Sequence, residues 1–196
     1  MNLADRLTVT RIILAPVFFI LYTLPAMFPA QFAGSAIWIV PLLWIIFIIA
    51  ELTDMFDGMA ARRLNQTSDF GKLFDPFADT LLQITLFVCF VMDGIFPAFL
   101  FLVVLYREFS ILLIRNLMAK KGIAMGARMG GKIKTVTYIA AAGIALLYAS
   151  LSRLGIAETV HMPVRITSLV VFSVSVLFSV LSFLDYVAVY RASNKV

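Results

Sequence analysis

The chain has one cysteine, Cys89, and one histidine, His161, among 196 residues. One cysteine excludes an intramolecular disulfide framework. With one histidine beside it, the usual thiolate and multi-histidine metal sites are excluded as well. Charge is scarce too: 14% of residues are Asp, Glu, Lys or Arg, against about 25% in soluble domains. No internal repeat, low-complexity tract or polar appendage is visible. His161 falls between apolar blocks and is expected in a solvated loop. The first apolar block lacks an early small-residue cleavage site, so a retained span is expected there rather than a removed leader.

What fills the chain instead is apolar. Hydrophobic residues make up 62% of it, and the mean hydropathy is +1.01. The excess comes in blocks of about the 20 residues that cross a bilayer as helix. The blocks do not alternate apolar with polar, which excludes a membrane barrel. The expectation is an all-α, polytopic membrane protein: six transmembrane helices in one bundle, a single domain over 1–196. The helices are placed at 7–24, 35–54, 75–93, 96–118, 134–154 and 167–191. A short N-terminal segment, with Leu3 and Leu7 in the membrane interface and Asp5 as a helix cap, precedes the first span. Trp38, Tyr186 and Tyr190 fit interfacial belt positions.

The cations give the orientation. With the N-terminus inside, one side collects Arg6, Arg11, Arg62, Arg63, Lys72, Arg115, Lys120, Lys121, Arg128, Lys132, Lys134, Arg191 and Lys195. The other side has Arg153 and Arg165, and Arg107 lies within a span. Both termini are therefore expected in the cytoplasm, in a multi-pass protein of the cell (inner) membrane. The net charge of +5 reads as this topological bias plus attraction to anionic membrane lipid, not as nucleic-acid binding.

Against that background, Glu51, Asp54, Asp57, Asp69, Asp75 and Asp79 crowd into 51–79. Asp54 and Asp57 are spaced i,i+3 and share a face at the end of the second helix; Asp75 and Asp79, at i,i+4, share a face at the start of the third. Gly58 and Ala61 continue the first face and leave room for a ligand against the backbone. A loop of about a dozen residues containing Gly71 is expected between the pairs. Four converging carboxylates repel one another, so a cation must sit among them. Nearby arginines can supply part of it. Oxygen ligands without His or Cys suit Mg²⁺ or Mn²⁺, and two such ions balance four carboxylates in the arrangement used for phosphoryl transfer. A plainer reading is also open: Asp75-Pro76 fits a helix cap followed by proline, and Arg62 and Arg63 can form surface ion pairs.

The spacing Asp54-x2-Asp57-Gly58-x2-Ala61-Arg62-x8-Gly71-x3-Asp75-x3-Asp79 resembles the signature of the CDP-alcohol phosphotransferases, membrane enzymes of phospholipid synthesis. The six-helix layout resembles that family too. The resemblance implies that Asp54, Asp57 and Asp75 hold one metal ion and Asp54, Asp75 and Asp79 a second. It makes Asp79 also the general base. It implies that Gly58 and Gly71 leave room for the cytidine, that Ala61 belongs to the CDP-lipid site, and that Arg62 and Ser68 contact the diphosphate of CDP-diacylglycerol. Homodimers are common in the family, and one is implied here.

The acceptor is read from "LYREFSILLIRNLMAKKG" and "GKIKT". Arg107 and Glu108 are ionisable residues inside an apolar span, which makes them functional candidates. Arg107 and Arg115 lie about two turns apart, and Lys132 and Lys134 open the fifth helix. Together they can form a pocket for an acceptor that carries a phosphate; the alternative is that several are topology signals only. Both segments resemble the family's glycerol-3-phosphate branch, as does "NLADRLTVTR". Ala4 and Asp5 stand where that branch has Pro and Asn, and Thr80 where it usually has lysine. The resemblance implies transfer of phosphatidyl from CDP-diacylglycerol to glycerol 3-phosphate with release of CMP. Serine, inositol phosphate or another polyol phosphate is the alternative acceptor. A divalent-cation transporter is a remote alternative, since it needs polar residues at several depths.

Overall fold

Among the described residues the computed structural model has six helices: α1 (Leu3–Met27), α2 (Ala36–Leu64), α3 (Asp69–Met92), α4 (Ala98–Lys120), α5 (Met129–Leu154) and α6 (Glu158–Ser193). It describes the backbone of residues 3–64, 69–120, 122 and 129–193, and the side chains of 5–53, 74–120, 122, 131 and 133–192. Among the described residues there is no strand. Helix is the expected outcome for such a chain, because lipid offers backbone N–H and C=O groups no partner and a helix satisfies them internally.

Among the described residues, five helices contain a stretch long and apolar enough to cross a membrane: Asp5–Met27, Ala36–Thr53, Phe74–Met92, Ile133–Leu154 and Glu158–Ala192. α4 matches them in length, with 23 residues, but Arg107, Glu108, Arg115 and Lys120 interrupt its apolar run. The protein is a multi-pass membrane protein. Its lipid-facing surface is carried by residues such as Ile13, Ile20, Ile45, Leu113, Leu177 and Leu181, all exposed.

α1 packs against α2 and α3, α6 against α4 and α5, and α5 also touches α2 and α3. The centre is aromatic. Phe96 and Phe172 stack at 3.9 Å with an interplanar angle of 7°, and Phe87 meets Phe96, Tyr138 and Phe172 edge-on at 5.0–5.6 Å. Many buried side chains on α5 and α6 are small: Ala141, Ala142, Ala145 and Ala149 on one helix, and Ser168, Ser175, Ser179 and Ser182 on the other. Helices in lipid gain little from hydrophobic exclusion, so close packing of small residues supplies the attraction.

The turn after α3 depends on Gly94, whose φ of 65° lies in the left-handed region that favours glycine. The amides of Ile95 and Phe96 then donate back to the Phe90 carbonyl, at 2.8 and 3.2 Å. On that side of the membrane Asp93 ties three helices together. It accepts from the Tyr22 hydroxyl at 2.6 Å and from Arg153 Nη2 at 3.2 Å, and the Arg153 guanidinium lies 3.8 Å from the Tyr22 ring centre.

Several elements differ from the sequence reading. α2 runs on to Leu64 and α3 begins at Asp69, so residues 65–68 alone separate them in place of a dozen-residue loop. The polar residues of 54–64 end the apolar run, but Ala60, Ala61, Arg62, Arg63 and Leu64 are good helix formers and carry the helix onward. Gly71 lies within α3, as does Asp75-Pro76, so Asp75 is not a cap. Leu3 to Leu7 form the start of α1 itself, with Asp5 in its first turn. α6 begins at Glu158, which puts His161 in a helix, its Nε2 2.8 Å from the Ile156 carbonyl oxygen. Tyr186 is buried and so is no lipid-facing belt residue.

Candidate active site

Asp75 and Asp79 stand one turn apart on α3, and α1 delivers two side chains to them. Thr8 and Arg11 share a face of α1 at i,i+3 spacing. The Thr8 hydroxyl donates to Asp75 Oδ1. Arg11 Nη1 donates to Asp79 Oδ1, and its Nη2 reaches Asp75 Oδ1 at 3.4 Å. The Arg11 side chain is 1% exposed, while those of Asp75 and Asp79 are 39% and 49% exposed. One buried guanidinium therefore serves two half-open carboxylates. Two like charges one turn apart repel, and a planar fork that meets both offsets the repulsion and fixes their direction. Below this level the α1–α3 contact turns apolar, with Ala15, Phe18, Ala78 and Leu82 buried.

A second charged cluster lies where α4, α5 and α6 meet. Glu108 Oε1 accepts from Arg107 Nη1 and from Lys134 Nζ, each at 2.9 Å. Arg107 also donates through Nε to the Ser179 carbonyl oxygen at 3.2 Å and through Nη2 to Ser182 Oγ at 3.3 Å. Lys134 sits 4.7 Å from the Tyr138 ring centre, and the Tyr138 hydroxyl donates to Ser179 Oγ at 2.7 Å. Exposure of the three charged side chains is low: 6% for Arg107, 7% for Glu108 and 14% for Lys134. Arg115 is held apart from this cluster by Tyr186, donating from Nη2 to the phenol oxygen at 3.0 Å. Arg107 and Arg115 thus both turn towards α6.

Of the residues read from the sequence, the structure describes the side chains of Asp75, Asp79, Arg107, Arg115 and Lys134. Asp54, Asp57, Gly58, Ala61 and Arg62 lie on the α2 backbone, Gly71 on α3 and Lys132 on α5, but their side chains fall outside the described residues, and Ser68 falls outside altogether. Among the described residues no three acidic, His or Cys side chains gather; only two of the four motif carboxylates are among them. Thr8 and Arg11 were not read as site residues. Their signal was a hydroxyl and an arginine one helical turn apart in an otherwise apolar span. Ser179 and Ser182 gave a fainter one, as polar positions at i,i+3 on α6.

Comparison with known proteins places this geometry in context. The sequence model of the CDP-alcohol phosphatidyltransferase family matches residues 1–181. A protein of Treponema pallidum named CDP-diacylglycerol--glycerol-3-phosphate 3-phosphatidyltransferase is 36% identical over 195 residues, covering 97% of this chain and 89% of its own length. A Bacillus subtilis protein of the same name is 35% identical over 158 residues, 75% of this chain and 77% of its own. A Mycobacterium tuberculosis protein named probable phosphatidylglycerophosphate synthase is 32% identical over 187 residues, 95% of this chain and 80% of its own.

Proposed function

The chain belongs to the CDP-alcohol phosphatidyltransferase family, and from that premise we propose that it transfers the phosphatidyl group of CDP-diacylglycerol to sn-glycerol 3-phosphate, giving phosphatidylglycerophosphate and CMP. Membership makes it a phosphatidyl-transferring enzyme. The acceptor assignment is supported by relatives of that name whose similarity runs over most of this chain. The observation that carries the reading is the convergence of Asp75 and Asp79 on the Arg11 guanidinium. The excess of Lys and Arg on one side supports the reading that this end of the bundle faces the cytoplasm of a cell-membrane enzyme.

The family is generally metal-dependent, and the residues here fit a hard divalent ion. Asp75 and Asp79 offer oxygen donors half open to solvent, and they share a cationic partner in Arg11. Asp54, Asp57, Asp75 and Asp79 would hold two Mg²⁺ or Mn²⁺ ions. When bound, the ions supply charge neutralisation for the donor diphosphate and the departing CMP.

The protein's own groups do the remaining work. The acyl chains of the donor stay in the bilayer while its head reaches the motif end of α2 and α3. Gly58 and Gly71 leave room there for the cytidine, Ala61 belongs to the same CDP-lipid site, and Arg62 with Ser68 contacts the diphosphate. The acceptor phosphate is held by Arg107 and Lys134, with Lys132 and Arg115 as further cations of the same reading. Lys134 spends one ammonium hydrogen on Glu108 and keeps others for a ligand. The acceptor hydroxyl oxygen then attacks the β-phosphorus in line as the bond to the CMP oxygen breaks, and the hydroxyl proton passes to the Asp79 carboxylate. Thr8 and Arg11 hold the α3 carboxylates in register for this step. Assembly as a homodimer is part of the proposal, by analogy with the family.

The test is CMP release by the purified protein in detergent, with CDP-diacylglycerol, a divalent cation and one alcohol at a time. Glycerol 3-phosphate should give the highest rate, and chelation should stop it. Asp79→Asn should abolish turnover yet keep CDP-lipid binding. Release with serine or inositol phosphate in place of glycerol 3-phosphate would overturn the acceptor; release with none would overturn the activity.

A further inference from the structure

At the end of the bundle away from the aspartates, the α3–α4 turn and the start of α6 enclose a groove of about 470 Å³. Pockets that take small ligands measure roughly 300–1,000 Å³. Ile95 and Phe96 belong to the turn side of the groove; Met162, Ile166 and Leu169 form its α6 wall. Met162 and Ile166 are exposed and face the medium around the bundle.

Arg165 is the charged residue in the lining. Its Nη2 donates to the Gly94 carbonyl oxygen at 3.0 Å, a neutral acceptor, and among the described residues it makes no ion pair. Among the described residues no acidic side chain lines the groove. Asp93, next to Gly94 in the chain, is engaged by Tyr22 and Arg153. The α3–α4 turn is irregular backbone, which does not sit in hydrocarbon, so Arg165 lies at headgroup depth. Leu169, one turn further along α6, points the groove towards the membrane interior. A cation at headgroup level above an apolar slot matches a glycerophospholipid. A zwitterionic head would bring an ammonium that finds no carboxylate in the lining; an anionic head brings no such mismatch.

We infer that this groove is a binding site for an anionic glycerophospholipid of the leaflet opposite the active site, with the phosphate on Arg165 and one acyl chain along Ile166 and Leu169. The site is separate from the catalytic end and needs no assumption about the reaction. Its occupant bridges the α3–α4 turn and α6, reinforcing the Arg165–Gly94 contact.

The test is native mass spectrometry of the full chain, delipidated in detergent and offered phosphatidylglycerol and phosphatidylcholine with identical acyl chains at equal concentration. Phosphatidylglycerol should be retained roughly fivefold more, the weight of one arginine at an anionic surface. Arg165→Gln should cut that preference by more than half. Arg191→Gln, the same charge loss at the other end of α6, should leave the preference intact. Leu169→Trp, which fills the slot and keeps the arginine, should lower retention of both lipids, and it tests the site even where the arginine variant fails to fold. Equal retention by the unmodified protein, an undiminished preference in Arg165→Gln, or an equal loss in Arg191→Gln would each overturn the inference.

Discussion

Removing Glu108 should cost the protein more stability than removing the whole charged cluster around it. Glu108 Oε1 is the shared acceptor for Arg107 and Lys134, each at 2.9 Å. Glu108→Ala leaves two buried cations facing each other without a counter-charge. Taking one partner from a buried ion pair costs about 3–5 kcal/mol. Arg107 keeps Ser179 and Ser182, and Lys134 keeps the Tyr138 ring, so the low end, about 3 kcal/mol, applies. A chain of this size loses roughly 2–4 °C in Tm per kcal/mol, giving a fall of about 6–12 °C. The assay is thermal unfolding in one detergent at fixed salt. Glu108→Gln keeps the shape but not the charge and should fall nearly as far. The triple variant Arg107→Met, Glu108→Leu, Lys134→Met removes every charge and should recover most of the loss, because apolar replacement of a buried ion cluster is close to neutral. It should remain inactive, since it deletes the proposed acceptor site. A Glu108→Ala protein within about 2 °C of the parent, or a triple variant less stable than the single one, would refute the reasoning.

Other outcomes follow from the same contacts. Arg11→Gln should lower CMP release by roughly 10–100-fold, the equivalent of losing charge-assisted bonds worth about 1.5–3 kcal/mol, with helix content by circular dichroism unchanged. Arg11→Lys should recover only part of it, because a single ammonium does not reproduce the fork that meets both Asp75 and Asp79. Tyr22→Phe removes the 2.6 Å bond to Asp93 but leaves Arg153 on that carboxylate, so Tm should fall by a few degrees, about 1 kcal/mol, with the rate of CMP release unaltered.

How much of this was legible in the sequence depended on the kind of signal. The six helices could be read because hydropathy blocks are long and lipid permits no other backbone solution. Their ends were harder. Asp54 to Leu64 ceased to be apolar without ceasing to be helical, and Glu158 to Ile166 looked like a loop because His161, Pro163 and Arg165 are polar or helix-breaking. Asp75 and Asp79 were legible as a pair from i,i+4 spacing alone. Their partners were not, because Thr8 and Arg11 meet α3 across more than sixty residues of chain, and Arg11 in isolation is indistinguishable from a topology signal. The same holds for Tyr186: an aromatic near a span end reads as a lipid anchor until the partner that buries it, Arg115, is known.

The most direct measurement is Mn²⁺ titration of the purified enzyme followed by electron paramagnetic resonance. If Asp54, Asp57, Asp75 and Asp79 grip two ions together, two Mn²⁺ should bind per chain with the spin coupling of a pair about 3.5–4 Å apart, and Asp57→Asn or Asp79→Asn should abolish the coupling. A single isolated Mn²⁺ signal, or a coupled pair that survives both substitutions, would contradict it.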